Sequence, residues 1–185
     1  MKRARRSLTR RRAALPVETE RLRLRDLTES DAEALHAIYG DAETMRYIGA
    51  TGRPASDPTA TRRTLASLLA HGRQHGFSLW AVEERHSEHL VGIAGLLLED
   101  GHGPEIEAAY LFRRDRWGRG YATEALRAVL DIADSLGLDR VIALAYPEND
   151  ASRRVMEKAG MVADGSITAY GREMTRHAWS RKADA

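Results

Sequence analysis

The chain is 185 residues long, with 29 Lys and Arg against 27 Asp and Glu and no cysteine. That length makes one domain with a sizeable core, and the missing cysteines exclude both a disulfide scaffold and a thiolate zinc or iron centre. No window holds the roughly 20 apolar residues that a bilayer span needs, and no apolar segment follows the basic start, so the expectation is a cytoplasmic protein without a membrane anchor.

The formal charge of +2 is unevenly spread. The opening "MKRARRSLTRRR" carries seven basic residues and no acid, and with these set apart 22 basic residues face 27 acidic ones. Residues 1–15 therefore read as a basic, disordered arm, with a weak RNA or ribosome contact through residues 1–12 as its candidate use. Residues 16–182 read as a single, mildly acidic domain.

In chain order, "ERLRLRDL" alternates Leu22, Leu24 and Leu27 with charges and predicts a strand. "TESDAEALHAIYGD" predicts a helix starting at Thr28 or Ser30, with Leu35, Ile38 and Tyr39 on one face and Gly40 at its end. "GATGRPASDPT" reads as a loop, and "ATRRTLASLLAHGRQHG" as a second helix. "FSLWAVEE" and "LVGIAGLLLE" predict a hairpin, and "EIEAAYLF" a further antiparallel strand. A long helix follows with Leu126, Val129, Leu130, Ala133 and Leu136 in one stripe and Gly137 as its stop. "RVIALAY" predicts a buried strand, "NDASRRVMEKAG" a capped helix, and "SITAYGREMTRHAWS" two strands around Gly171. The expected fold is α/β with α and β mixed (α+β): a central, mostly antiparallel twisted sheet of six to seven strands flanked by about four helices.

"YLFRRDRWGRGYATEAL" sends a strand into a loop whose Gly118 and Gly120 immediately precede a helix. The first amides of a helix lack intrahelical partners and sit at its positive end, and glycine lets the backbone approach a pyrophosphate closely. Arg113, Arg114, Arg116 and Arg119 are expected to raise the local potential. An ordinary helix-entry loop explains the same residues. A P-loop is excluded by the missing Gly-Lys-Ser/Thr ending. A dinucleotide fingerprint is excluded by Thr123 in place of the third glycine and by the five residues between Phe112 and Gly118.

Taken with "PENDASRRVMEKAGM" and "ERLRLRDLTESDAEAL", the stretch "WGRGYATEAL" resembles the GCN5-related N-acetyltransferase (GNAT) superfamily, in its RimJ/RimL-like branch. The resemblance runs from Glu18 to Lys182. It implies the GNAT fold and an acetyl-CoA-dependent transferase whose acceptor is an amine, either a protein N-terminus or a small molecule. It also implies that the backbone from Trp117 through Gly118, Arg119, Gly120, Tyr121 and Ala122 to Thr123 holds the pyrophosphate of acetyl-CoA. Trp117 stands where the superfamily pattern has Gln or Arg. Asn149 and Ser152 fall on the second motif, beside the pantetheine and the thioester sulfur; both also suit plain helix capping.

Acetyl transfer needs a neutral amine, and an α-amine near 8 or a lysine near 10.4 arrives protonated. Glu107 stands where relatives carry a glutamate and is the expected base, with an exposed strand residue as the competing reading because Glu105 shares its face. Ala108 and Ala109 replace the family's Ile-Gly. The usual tyrosine acid is replaced by Met156, which leaves Ser152 as the expected proton donor to the thiolate and Tyr146 as second choice. His71 and His75 stand four apart on a helix, but without cysteine or a neighbouring carboxylate they read as surface residues and no metal is expected. His177 reads as a half-buried strand position, with the lining of an acceptor pocket as its alternative. A different class of protein fits the same residues: a non-catalytic acyl-CoA-binding or RNA-associated module. Monomer and homodimer both stay open.

Overall fold

The computed structural model describes residues 12–49, 52–101 and 103–181; the expectation of a disordered arm over residues 1–15 lies outside them as far as residue 11. Ala13 already belongs to the fold, with its N–H donating to the Gly76 carbonyl at 3.1 Å. The strands are β1 (Val17–Glu18), β2 (Leu22–Arg25), β3 (Leu79–Glu84), β4 (Leu90–Leu98), β5 (Ile106–Phe112), β6 (Arg140–Ala145), β7 (Val162–Ala169) and β8 (Arg172–Ser180). The helices are α1 (Ala32–Tyr39), α2 (Ala42–Met45), α3 (Pro58–His75), α4 (Tyr121–Ser135) and α5 (Asp150–Lys158).

The eight strands form one sheet in the order β1-β2-β3-β4-β5-β6-β8-β7. The expectation of six to seven is low by the two-residue β1, which is too short to show a period. Every neighbouring pair is antiparallel except β5 and β6, which run parallel and pair at one position, Glu107 opposite Ile142. β4 and β5, by contrast, stay in register from Gly92–Phe112 to Leu98–Ile106. The sheet therefore opens between β5 and β6 toward their C-terminal ends.

Alternation along the strands sends two sets of side chains to two faces. Ile106, Ala108, Phe112, Val141 and Ala143 join the core under α4 and α5. Leu111, Ile93 and Ala81 pack against Leu35 and Ile38 of α1 and Leu65 and Leu68 of α3 on the other face. A small third cluster, Tyr146, Ala169 and Met174 with Tyr47 and Tyr170 against it, lies beside the open end.

The helix ends follow local chemistry. Thr28 and Asp31 form a reciprocal capping box before α1, and Gly40 ends it, both where the sequence places them. α3 begins earlier than its periodic pattern: Asp57 accepts from the Ala60 N–H at 3.0 Å and Pro58 occupies the first turn, a start signal contained in the stretch read as loop. The single turn of α2, capped by Asp41 on the Thr44 N–H at 2.7 Å, has no periodicity to read.

Candidate active site

The glycine turn leaves β5 at Phe112 and enters α4 at Tyr121. Trp117 donates its indole N–H back to the Phe112 carbonyl at 2.9 Å and keeps half of its surface exposed. Gly118 and Gly120 have φ of +73° and +80°, the left-handed region that a side chain disfavours. Gly120 is the N-cap of α4 and supplies no side chain to its first amides, which therefore lack a capping partner. A Cβ at Gly118 would meet nothing within 4 Å, leaving open space beside the backbone.

A latch holds this loop from behind. Arg21, in the β1–β2 turn, donates to the Arg119 carbonyl at 2.8 Å and to Glu124 in the first turn of α4 at 2.7 Å. Glu124 also accepts from the Thr19 hydroxyl at 2.6 Å and from the Arg21 N–H at 2.8 Å. One loop carbonyl is thus held by the latch. Beneath it, buried Glu84 accepts from the Tyr121 hydroxyl at 2.9 Å and faces Arg116 at 3.2 Å. Burial opposes its charge, yet the Tyr121 and Ser87 hydrogen bonds and the Arg116 charge hold it below the usual carboxylate range.

The arginines contribute less field than their number promises. Arg113 pairs with Asp115 at 3.1 Å, and Arg116 pairs with both Asp115 at 3.0 Å and Glu84. Two of the four charges are therefore answered within the loop itself, because Asp115 is folded back between them.

Across the opening stands α5. Asn149 is its N-cap, accepting from the Ser152 N–H at 3.1 Å. The Ser152 hydroxyl shares a 2.8 Å hydrogen bond with the Tyr110 hydroxyl, which also donates to the Ser152 carbonyl at 3.1 Å. Tyr110, on β5, has its hydroxyl pushed up to about 12 by burial. The sequence does not distinguish it: its alternation with Ala108 and Phe112 identifies the face, but its partner lies 42 residues away. Tyr146 is not brought to this pair: its hydroxyl donates to the Gly49 carbonyl at 2.5 Å, within the cluster on the other face. Met156 is buried in the core under α5.

If the Tyr110–Ser152 pair delivers the proton to a leaving thiolate, Ser152→Ala and Tyr110→Phe should each lower kcat at saturating acetyl-CoA. We expect about tenfold, below the usual range for general acid catalysis because a thiol near 8.5 leaves readily. Because the two hydroxyls share one hydrogen bond, the double variant should be little worse than either alone. Full-rate single variants would remove the pair from the reaction.

Glu107 occupies the one bridging position of β5 and β6, with only 6% of its surface exposed. Desolvation pushes its carboxyl up to about 7 against the opposing hydrogen bond from Tyr170, and the nearby charges of Glu99 and Asp100 push the same way. The Tyr170 hydroxyl donates to Oε2 at 2.5 Å. The exposed-strand alternative fails for Glu107 and suits Glu105 better, which is part-exposed and paired with Arg140 at 3.1 Å and Arg176 at 3.4 Å.

The histidines lie elsewhere. His177 sits opposite Ala143 under α5, 3% exposed and 3.7 Å from Glu157, so it does not line the Glu107 side. His71 is not a surface residue: its ring bonds the Phe77 carbonyl at 2.9 Å and the Leu98 N–H at 3.4 Å, and burial pulls its pKa down. Among the described residues no group of three or more His, Cys, Asp or Glu is arranged to hold a metal, and none of their helices is long and apolar enough to cross a membrane. A groove of about 650 Å³ beside Trp179 lies away from all of this; it is lined in part by the Arg140–Asp164 and Arg181–Asp134 ion pairs.

The open turn at the head of α4, the split in the sheet between β5 and β6 and the buried carboxylate of Glu107 are together the arrangement of an α/β enzyme. Residues 21–162 match the profile of the acetyltransferase (GNAT) domain. The chain is 31% identical over 156 residues to the uncharacterized N-acetyltransferase YoaA of Bacillus subtilis (strain 168), covering 83% of its own length and 86% of YoaA. It superimposes on the crystal structure of the acetyltransferase from Agrobacterium tumefaciens str. C58 with a TM-score of 0.76 at 26% identity, over 91% of this chain and 95% of that one. The fold is shared as well with Mycobacterium smegmatis RimJ in complex with CoA-disulfide, with a TM-score of 0.72 at 24% identity over 86% and 81% of the two chains. The chain belongs to the GNAT family and is an N-acetyltransferase.

Proposed function

We propose that the protein moves the acetyl group of acetyl-CoA directly to a primary amine in a ternary complex, with Glu107 as the base. The observation that carries this reading is the placement of Glu107: a carboxylate near 7, buried at the point where β5 and β6 part. At that value it is half ionised at neutral pH and basic enough to take a proton from an ammonium group.

The residues present fit the donor. The amides from Trp117 to Thr123 suit a pyrophosphate, since Gly120 offers no competing cap and Gly118 borders open space. Asn149 and Ser152 flank the split on the α5 side. The CoA held in the RimJ structure supports this use of a fold that the two proteins share. Acetyl-CoA supplies an activated acyl group on a tolerable leaving thiol. The chain supplies the rest: Glu107 takes the acceptor's proton on the α1–α3 face, and Ser152 with Tyr110 returns one to sulfur on the α4–α5 face. The two proton positions thus stand on opposite sides of the split, which keeps the donor's leaving group away from the acceptor's entry.

The deciding experiment follows thiol release from acetyl-CoA with N-terminal peptides, aminoglycosides and polyamines as acceptors. Turnover with any of them supports the enzyme. Tight acetyl-CoA binding without transfer to any of them favours the acyl-CoA-binding module, for which the buried Met156 in the place of the usual acid and Ala108–Ala109 in the place of Ile-Gly are the arguments.

A further inference from the structure

Glu107 is reached by a residue from the far end of the sheet. Tyr170 belongs to the hairpin joining β7 and β8, and those strands are separated from β5 by β6. Ala169 pairs with Arg172, so Tyr170 and Gly171 are the whole turn, with φ of +53° and +71°. A two-residue hairpin turn with both φ positive is the type that favours Asn-Gly, and a bulky aromatic residue in its first place is disfavoured. The residue is nonetheless a tyrosine, with its ring packed on the Tyr146 cluster and its hydroxyl on Glu107 Oε2.

The other wall repeats the pattern. Asp100, in the β4–β5 connection, also has a positive φ of +47°, and it lies close enough to act on both Glu107 and Tyr170. Two of the three non-glycine residues with positive φ among those described therefore converge on one carboxylate; the third, Glu88, is in the β3–β4 turn. A tyrosine retained in this backbone region, against the turn's own preference, is the mark of a position that the surrounding structure over-determines.

We propose that Tyr170 is the positioning residue for Glu107: the hairpin turn delivers its hydroxyl to Oε2, which fixes the carboxylate and leaves Oε1 to receive the acceptor's proton. Among the described residues Oε1 has no hydrogen-bond partner. The idea rests on Glu107 being the base. The groups facing that carboxylate are few. Leu97 from β4 and Ile142 from β6 are its uncharged register neighbours. Glu99 and Asp100 come from the β4–β5 connection, and Tyr170 from the hairpin. Arg172, in the same hairpin, is engaged over the Tyr146 ring at 5.3 Å.

The sign of the effect follows. Glu99 and Asp100 disfavour the carboxylate's charge, and the Tyr170 hydroxyl favours it. Tyr170→Phe keeps the ring and removes only that donor, so the Glu107 titration should move upward from about 7. The test is carbon-13 NMR of the full chain labelled at glutamate carboxyls, with the Glu107 signal assigned by its absence in Glu107→Gln. Rate–pH profiles with spermidine, kanamycin and a seryl-alanyl peptide accompany it.

In Tyr170→Phe the signal and the acid limb should both shift to higher pH by about half a unit or more. kcat should fall about tenfold, and KM for acetyl-CoA should hold. Tyr170→Asn, which suits the turn, should show the same shift with an unchanged or higher Tm. That combination is one a merely structural tyrosine does not produce. A Glu107 titration unmoved in both variants overturns the proposal while leaving Glu107 as base. An acid limb that survives Glu107→Gln overturns the base and this proposal together.

Discussion

Glu107→Gln is expected to remove most acetyl transfer and, above pH 7, to make the protein harder to melt. The first effect is the loss of a positioned base, worth about 10²–10⁴ in kcat/KM. The second follows from linkage. The carboxyl titrates near 4.5 when solvated and about 7 in the fold, so between those values the native state keeps a proton that the unfolded chain has released. Stability from this group is complete below about pH 4.5, declines as pH rises toward 7, and is absent above it. The gap corresponds to at most about 3 kcal/mol, and relaxation around the site will reduce it. Glutamine keeps the shape and still accepts from Tyr170, but it never ionises. Melting curves of the two proteins should nearly coincide at pH 5 and separate at pH 8, with the variant higher. A pH-independent difference would mean that Glu107 is not the buried, uncharged-preferring group described above.

What the sequence reveals and what it hides divide by chain separation. The turn into α4 is legible because its parts are adjacent: Gly118, Gly120 and the first turn of α4 lie within a few residues, and helix ends obey local capping rules. Asn149 and Ser152 were legible for the same reason, being cap and first turn of α5. Glu107 could be named only through the family resemblance, since a period of two identifies its face and not its burial. Burial depends on β6, about 35 residues later, and on Tyr170, 63 residues later. Tyr110 was missed because nothing local distinguishes it from other strand aromatics. The arginines were over-read for the opposite reason: counting charges along the chain does not show Asp115 and Glu84 folded against two of them. The split between β5 and β6 is likewise invisible locally, because it comes from the crossover that makes one strand pair parallel in an otherwise antiparallel sheet.

Arg21→Ala should damage acetyl-CoA binding more than any other single change at the cradle, because it has two effects of one sign. It frees the Arg119 carbonyl, now held at 2.8 Å, so that the loop can turn an acceptor toward the phosphates in place of its donors. It also strips Glu124 of the guanidinium 2.6 Å away, leaving its charge unneutralised in the first turn of the helix proposed to hold the pyrophosphate. The expected result is a rise in the acetyl-CoA KM of about 10–100-fold, or roughly 1.4–2.8 kcal/mol, with kcat little changed. Lysine should not rescue it, since one ammonium cannot span the carbonyl and the carboxylate as the guanidinium fork does. The double variant Arg21→Ala, Glu124→Ala loses the latch as well but removes the repulsion, so its KM should lie between wild type and Arg21→Ala. A double variant that binds worse than Arg21→Ala would show that Glu124 orders the loop through the Thr19 hydroxyl and the residue-21 N–H and that its charge is not felt at the phosphates. An unchanged KM in Arg21→Ala would mean that the loop keeps its amides outward without the latch.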